Sequence, residues 1–155
     1  MRTARWTAAA ATAALFAAVP ATATAVAAPA EAASAAAPTT AATTVAWSAS
    51  YGTAASASGT RWTETSSGGF GTDLVLTGTL TNTGAGCYAV WTRYTFDFTP
   101  GPTTKQAEIC GAGSVAVNAR QYYKYTTTGS IAVCKGGTTS PTDCGTWQSI
   151  THWPI

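Results

Sequence analysis

The chain has 155 residues and a mass of 15.6 kDa, close to 100 Da per residue, so small side chains dominate. Charged residues make up 9% of it, against about a quarter in an ordinary globular protein. That composition excludes a charged disordered tail and a nucleic-acid binder, which needs a basic face to meet phosphates.

The first 44 residues are a different material from the rest. Ala supplies 22 of them but only 12 of residues 45–155, and all 15 Gly lie from Gly52 onward. Residues 1–27 read as a secretory signal. Arg2 and Arg5 form the positive start, Trp6 to Val19 the apolar stretch, and Pro20 breaks it. Ala25-Val26-Ala27 is the preferred cleavage site. The apolar stretch is 14 residues long, short of the roughly 20 that span a bilayer. The cleaved protein is therefore expected outside the cell, with no membrane association. The signal also carries the whole formal charge of +2, because six basic and six acidic residues remain after it. A neutral surface offers little electrostatic steering.

Residues 28–44 form an Ala/Thr/Pro extension with one charge, Glu31. Pro29 and Pro38 oppose a continuous helix, and no large apolar side chain anchors the segment. It reads as a flexible spacer or as a segment that orders on a partner.

From Val45 the pattern has period two, the signature of antiparallel strands. Val45, Trp47, Ala49 and Tyr51 share one parity, as do Leu74, Leu76, Gly78 and Leu80. A central strand is expected over Tyr88–Phe98, with bulky groups on both faces. On its minority face Trp91 either packs between sheets or stands exposed for binding. Further strands are expected at Lys105–Cys110, Ser114–Tyr125, Ser130–Cys134 and Thr146–Trp153. Turns are expected at Asn82–Gly86, Pro100-Gly101-Pro102 and Gly136-Gly137. No helical stripe appears. The expected fold is all-β: one small antiparallel immunoglobulin-like sandwich of about seven strands over residues 45–155, with a closed barrel as the alternative.

Cys87, Cys110, Cys134 and Cys144 are an even set in an exported chain and read as two disulfides. Of three pairings, Cys87–Cys110 and Cys134–Cys144 are preferred. The second closes the short loop KGGTTSPTD, and the first ties the central strand to the strand returning after Pro100-Gly101-Pro102. A metal site is not expected: the spacings of 23, 24 and 10 contain no C-x-x-C, and His152 is the single histidine. No cofactor is implied.

Catalytic chemistry finds little material. A Ser-His-acid site would need His152, three residues from the end, and no G-x-S-x-G is present. Glycoside hydrolysis needs two carboxylates beside a cleft, but a chain this small has little mass left for its walls. The expected class is therefore non-enzymatic. Aromatics are the excess: five Trp, six Tyr and three Phe lie in residues 45–155. Most should fill the core, and the remainder should stack on sugars or anchor a protein interface.

The run DLVLTGTLTNTGAGC from Asp73 to Cys87, followed by YAVWTRYTFDF, is similar to the early hairpin of small exported immunoglobulin-like bacterial domains. The layout of signal, free extension and one Cys-stapled β domain resembles the small adaptor subunit of umbrella toxin particles. That resemblance implies a sandwich joining a repeat-containing toxin subunit to a lectin subunit, with the N-terminal extension docked in the lectin. It concerns layout and carries no site residue. The extension leads into Val45, Trp47 and Ala49, which read as a strand that could add to another protein's sheet edge. The other expectations are an inhibitor of a secreted hydrolase, presenting the loop around Thr139-Ser140-Pro141, and a carbohydrate-binding module.

Overall fold

The computed structural model describes residues 43–153. The signal, 1–27, and the extension up to residue 42 lie outside the described residues. The rest forms eight strands: β1 Val45–Tyr51, β2 Ala55–Thr65, β3 Thr72–Asn82, β4 Cys87–Phe96, β5 Thr99–Cys110, β6 Gly113–Tyr123, β7 Thr128–Lys135 and β8 Gln148–Ser149. They make two four-stranded sheets in the orders β1-β2-β3-β6 and β5-β4-β7-β8. Every pairing is antiparallel. The two-sheet sandwich is as expected. Its strand order is its own, since an antibody constant domain groups its strands A, B, E and D on one sheet.

The core lies between the sheets. Trp47, Leu74, Leu76, Leu80, Val117 and Tyr123 of the first sheet meet Val90, Tyr94, Ile131, Val133 and the C-terminal Ile150. Burial pushes the Tyr94 phenol up to about 12. Outward positions of the first sheet are mostly small and hydroxylated, such as Ser48, Ser58, Thr60 and Thr79, so one face is dry and the other wet.

One row across the first sheet sets its shape. Trp47 stands opposite Gly59, Gly59 opposite Gly78, and Gly78 opposite Val117. A Cβ built on Gly78 would lie 2.6 Å from Trp47 Cζ2 and 2.3 Å from the Ser58 carbonyl oxygen. Gly78 leaves volume that the indole fills, while a Cβ on Gly59 would meet the backbone of Thr77 and Gly78 in β3, and Trp47 Nε1 donates to the Thr60 carbonyl at 3.1 Å. This corrects the reading of Trp47 and Ala49 as partner-binding. Both are buried, 5% and 6% exposed, while Val45 is half-buried opposite Arg61. The strand belongs to its own domain because its inward side chains are the core.

The same row explains β2, which the sequence pattern does not reveal. Its inward positions begin Ala55, Ala57, Gly59, with no bulky apolar residue, because Trp47 occupies the space above them. A second correction concerns Pro100-Gly101-Pro102. These residues lie inside β5 and not in a turn. β5 is an edge strand, where a missing N–H is tolerated, and its register shifts between Arg93 and Thr95. The turn is instead Asp97-Phe98, so the central strand stops at Phe96 and not Phe98. The last strand also shrinks from Thr146–Trp153 to Gln148–Ser149.

Trp91 does neither of the two expected things. It is 2% exposed, yet it sits on the outer face of the second sheet with Ala89, Ala132 and Cys134, covered by Cys144 and Trp147. Lys105 Nζ lies 5.4 Å from its ring, and the Arg93 guanidinium lies 4.2 Å from the Trp147 ring. The paired cations complete this small outer core.

Both preferred disulfides are present, Cys87–Cys110 and Cys134–Cys144. Each joins residues directly opposite in the second sheet. They are compatible with an oxidising, extracellular setting. Among the described residues, no helix is long and apolar enough to cross a membrane.

Replacing Gly78 with Ala should overpack this row and cost about 1–3 kcal/mol. The check is thermal melting, with an expected fall in Tm of roughly 5 °C or more. A variant that melts with the wild type would show that the indole does not depend on the glycine gap.

Candidate functional site

The register places the two ends of the sandwich in sharp contrast. One end holds both disulfides, the crossover after β3 and the turn between β5 and β6. There the buried Asn82 donates from Nδ2 to the carbonyls of Gly86 and Gly111, at 2.6 and 2.8 Å. The Gly86 carbonyl also accepts from Gly111 N–H at 3.1 Å. Covalent and hydrogen-bonded ties close that end.

The other end gathers the exposed aromatics. Thr65 pairs with Thr72 and Thr72 with Tyr123, so the β2–β3 loop and the end of β6 lie together. Thr95 pairs with Thr128 and Phe96 with Thr99, which brings the β4–β5 turn to the same end. The C-terminal segment returns there too, with Trp153 Nε1 donating to the Thr127 carbonyl at 3.2 Å. The large exposed apolar residues of the described chain are Phe70, Phe98, Tyr122, Tyr125 and Trp153, and all five sit at this end.

Local sequence explains each position. Phe70 lies between Gly69 and Gly71, both at positive φ, in a loop closed by Gly69 N–H donating to the Ser66 carbonyl. The two glycines turn the chain sharply and leave Phe70 pointing out, 90% exposed. Gly71 has a further role. A Cβ there would lie 2.4 Å from Tyr122 Cε2, so the Tyr122 ring lies across it. Lys124 to Thr127 form a tight turn, with Thr127 N–H donating to the Lys124 carbonyl at 2.9 Å. That turn carries Tyr125 outward, and Thr126 Oγ1 donates to the Asp97 carboxylate across to the neighbouring tip.

The Asp97-Phe98 tip is the unusual piece. Two-residue turns with φ above zero at both positions prefer Asn or Asp followed by Gly. Asp97 meets that preference at φ 47°, and Phe98 does not, at φ 67°. Its ring is 93% exposed, so folding gains almost nothing from it.

The carboxylates Glu64, Asp73, Glu108 and Asp143 are engaged in ion pairs in the described structure. On the outer face of the first sheet Arg120 bridges Glu64 and Asp73, at 3.0 Å to the latter. Trp62 Nε1 donates to Glu64 at 2.7 Å, and Ser66 Oγ donates to Asp73 at 2.5 Å. Glu108 pairs with Lys105, and Asp143 with Lys135. His152 is held by its backbone N–H, which donates to the Tyr123 hydroxyl at 2.8 Å. Among the described residues no three His, Cys, Asp or Glu side chains gather as a metal would require.

The sequence pattern named the Cys, and the structure pairs them as preferred. It named Val45, Trp47 and Ala49 as the docking element, and the structure places that strand in the sandwich. It did not single out Phe70 or Phe98. The available signals were Gly-Phe-Gly and the Asp-Phe turn between two apolar strands.

The Arg120 network sets an acid dependence. The Trp62 indole, and then Arg120, hold Glu64 below its ordinary 4.5. The Ser66 hydroxyl, and then Arg120, hold Asp73 below 3.8. A carboxyl whose folded value is depressed stabilises fully above its unfolded value and loses that contribution as pH falls through the folded value. Stability measured by urea unfolding should therefore drop between about pH 5 and pH 2. The Asp73→Asn/Glu64→Gln variant should show a flatter drop. Parallel curves would mean that the network adds no acid-sensitive stability.

No protein-family model, curated protein or solved structure matches the chain, so the reading of its function rests on this geometry.

Proposed function

We propose that the chain is a secreted, non-enzymatic protein-interaction module that docks through the aromatic end of its sandwich. In its fuller form it is an adaptor joining subunits of an extracellular toxin particle, a lectin subunit and a repeat-containing toxin subunit. The N-terminal extension takes part in the docking. It does so without Val45, Trp47 and Ala49 as the donated strand.

The observation that carries this reading is Phe98. A bulky apolar residue in a left-handed turn costs stability, and this one returns none through burial. Such local conflict is expected where a residue serves something other than folding. Phe70, Tyr122, Tyr125 and Trp153 surround the same end, and aromatics anchor protein interfaces. The chain enters β1 close by, since Val45 stands opposite Arg61, four residues before the end of β2. A partner holding residues 28–44 would thus be brought against the aromatic tips.

The inhibitor reading keeps one supporting observation. The loop between Cys134 and Cys144 is clamped by the disulfide, by the Lys135–Asp143 ion pair, and by Thr138 Oγ1 donating to the Ser140 carbonyl. It is a rigid loop with Thr139 and Ser140 exposed.

Phe98→Gly separates stability from binding. It should raise stability by about 0.5–1 kcal/mol by relieving the left-handed conformation. Together with Phe70→Ser it should weaken partner capture tenfold or more, as loss of two anchors does. The measurement is capture of secreted proteins from native culture supernatant by tagged residues 28–155, beside a melting curve. Equal capture by both forms would remove the aromatic end from the interface. Loss of capture on reducing the disulfides instead would favour the inhibitor loop.

A further inference from the structure

A hollow on the outer face of the second sheet holds one arginine and four hydroxyl side chains, and none of the five exposed aromatics lines it. We propose that it binds an acidic sugar, a pyranose bearing a carboxylate, with Arg93 taking the carboxylate and Thr95, Thr103, Thr128 and Ser130 taking the ring hydroxyls. The site goes beyond the protein-docking reading and does not depend on it.

Register builds the hollow. Arg93 of β4 stands between Thr103 of β5 and Ser130 of β7, and Thr95 stands between Pro100 and Thr128. From Arg93 to Thr95 the chain advances two residues, while its β5 partners run three, from Thr103 to Pro100. The extra residue is a bulge, which interrupts the ladder and re-aims the side chains beside it. Gly101 lies in this bulge, and a Cβ there would come within 2.7 Å of the Phe96 ring. The concavity measures about 420 Å³, within the range of small-molecule sites.

Its charge and hydrogen-bonding capacity are unspent. No acidic residue lines it. The Arg93 guanidinium lies 4.2 Å from the centre of the Trp147 ring. Stacking on a ring face fixes the plane of the group and leaves its edge N–H donors free. Trp147 is itself packed on the outer core around Trp91, so the cation is placed before a ligand arrives. No carboxylate meets Arg93 among the described ion pairs, where Arg120, Lys105 and Lys135 take Glu64, Asp73, Glu108 and Asp143. Asp97, close by in sequence, accepts from Thr126 Oγ1. The neighbours Thr92, Thr126 and Thr127 each make a side-chain hydrogen bond, while the described bonds include none from the side chains of Thr95, Thr103, Thr128 or Ser130.

That set of groups selects its ligand. A planar fork of donors matches a planar carboxylate. Hydroxyls, each a donor and an acceptor, match a ligand whose own hydroxyls are both. A small inorganic anion would engage the arginine and leave the hydroxyls idle. An acidic peptide would use a strand edge for its backbone, and the hollow lies on a sheet face. A carboxylated sugar uses both halves of the site.

The test is an amide NMR titration of residues 28–155 with a trimer of galacturonic acid, its methyl ester, and acetate. The ester keeps the hydroxyls and loses the charge, and acetate keeps the charge and loses the hydroxyls. The acid trimer should shift the amides of Arg93, Thr95, Thr103, Thr128 and Ser130 saturably. Arg93→Gln should weaken binding about tenfold or more, as loss of a charge-assisted hydrogen bond does, and Thr103→Val/Ser130→Ala about fivefold. The rest of the spectrum should stay that of the wild type, because Arg93, Thr103 and Ser130 are not among the buried residues. Equal binding of the ester would overturn the role of Arg93, and equal binding of acetate would overturn the sugar. No saturable shift at these amides would overturn the site. A free polysaccharide and a glycan on another protein offer the same chemistry. Retention on insoluble polygalacturonate, lost in Arg93→Gln, would assign the first source. Release of a captured glycoprotein by the free trimer would assign the second. The Phe70 and Phe98 substitutions leave Arg93 in place, so the capture experiment and this titration fail independently.

Discussion

The sandwich depends on one indole and the gap beneath it. Trp47 is the largest side chain of the first sheet's inner face, and it begins on an edge strand. Its ring lies where a Cβ on Gly78 would come within 2.6 Å of it, and Gly59 beside it lets β2 approach the β3 backbone closely. The row ends on Val117 of β6, so a single line of contacts couples all four strands. With Trp47 filling the middle, β2 can be built from Ala and Gly and still bury its face. Elsewhere a strand with inward Ala, Ala and Gly would have too little apolar area to hold its place.

That economy of side chains leaves the domain short of ordinary means of stabilisation. It is small, sparsely charged and rich in Thr and Ser. Two cross-strand disulfides and the Asn82 hydrogen bonds concentrate rigidity at one end. The second sheet then places Trp91 outside the main core, under Trp147, Arg93 and Lys105. A small outer core on a sheet face does the work that a larger protein assigns to a covering helix. The far end has no disulfide and is tied by the Arg120 ion pairs and by hydrogen bonds between its turns, and there exposed aromatics are tolerated.

How much of this the sequence shows follows from where each residue gets its partner. Alternating Leu, Val and Tyr in β3, β4 and β6 mark those strands because each buries its own side chains. The Cys pairs are legible because turns and loop lengths constrain them. β2 is hidden because its burial is supplied by Trp47, which is remote from most of it in sequence. Pro100-Gly101-Pro102 reads as a turn by local rules, and only its place at a sheet edge beside a register shift makes it strand. Trp47 reads as free to dock because parity names the face and not which molecule fills it. The aromatic end is legible least of all, since its five residues come from four chain segments that meet only through register.

Register is also what gives those aromatics a common direction. Phe70 and Phe98 lie on turns from different sheets, and Tyr125 on the connection between the sheets. The three connections are tied, Asp97 to Thr126 and the β2–β3 loop to Tyr122 through Gly71. The tips are therefore held in a fixed relation by the sandwich below and do not have to be ordered on contact. An interface with prearranged anchors loses less conformational entropy on binding than one built from free loops. The sparse charge of the chain, 9% of its residues, makes this matter more, because encounter gains little from long-range charge. A chain with weak steering and fixed apolar anchors gains specificity from shape at one end. Leaving that end uncovered in water would be a liability for association with the wrong partners.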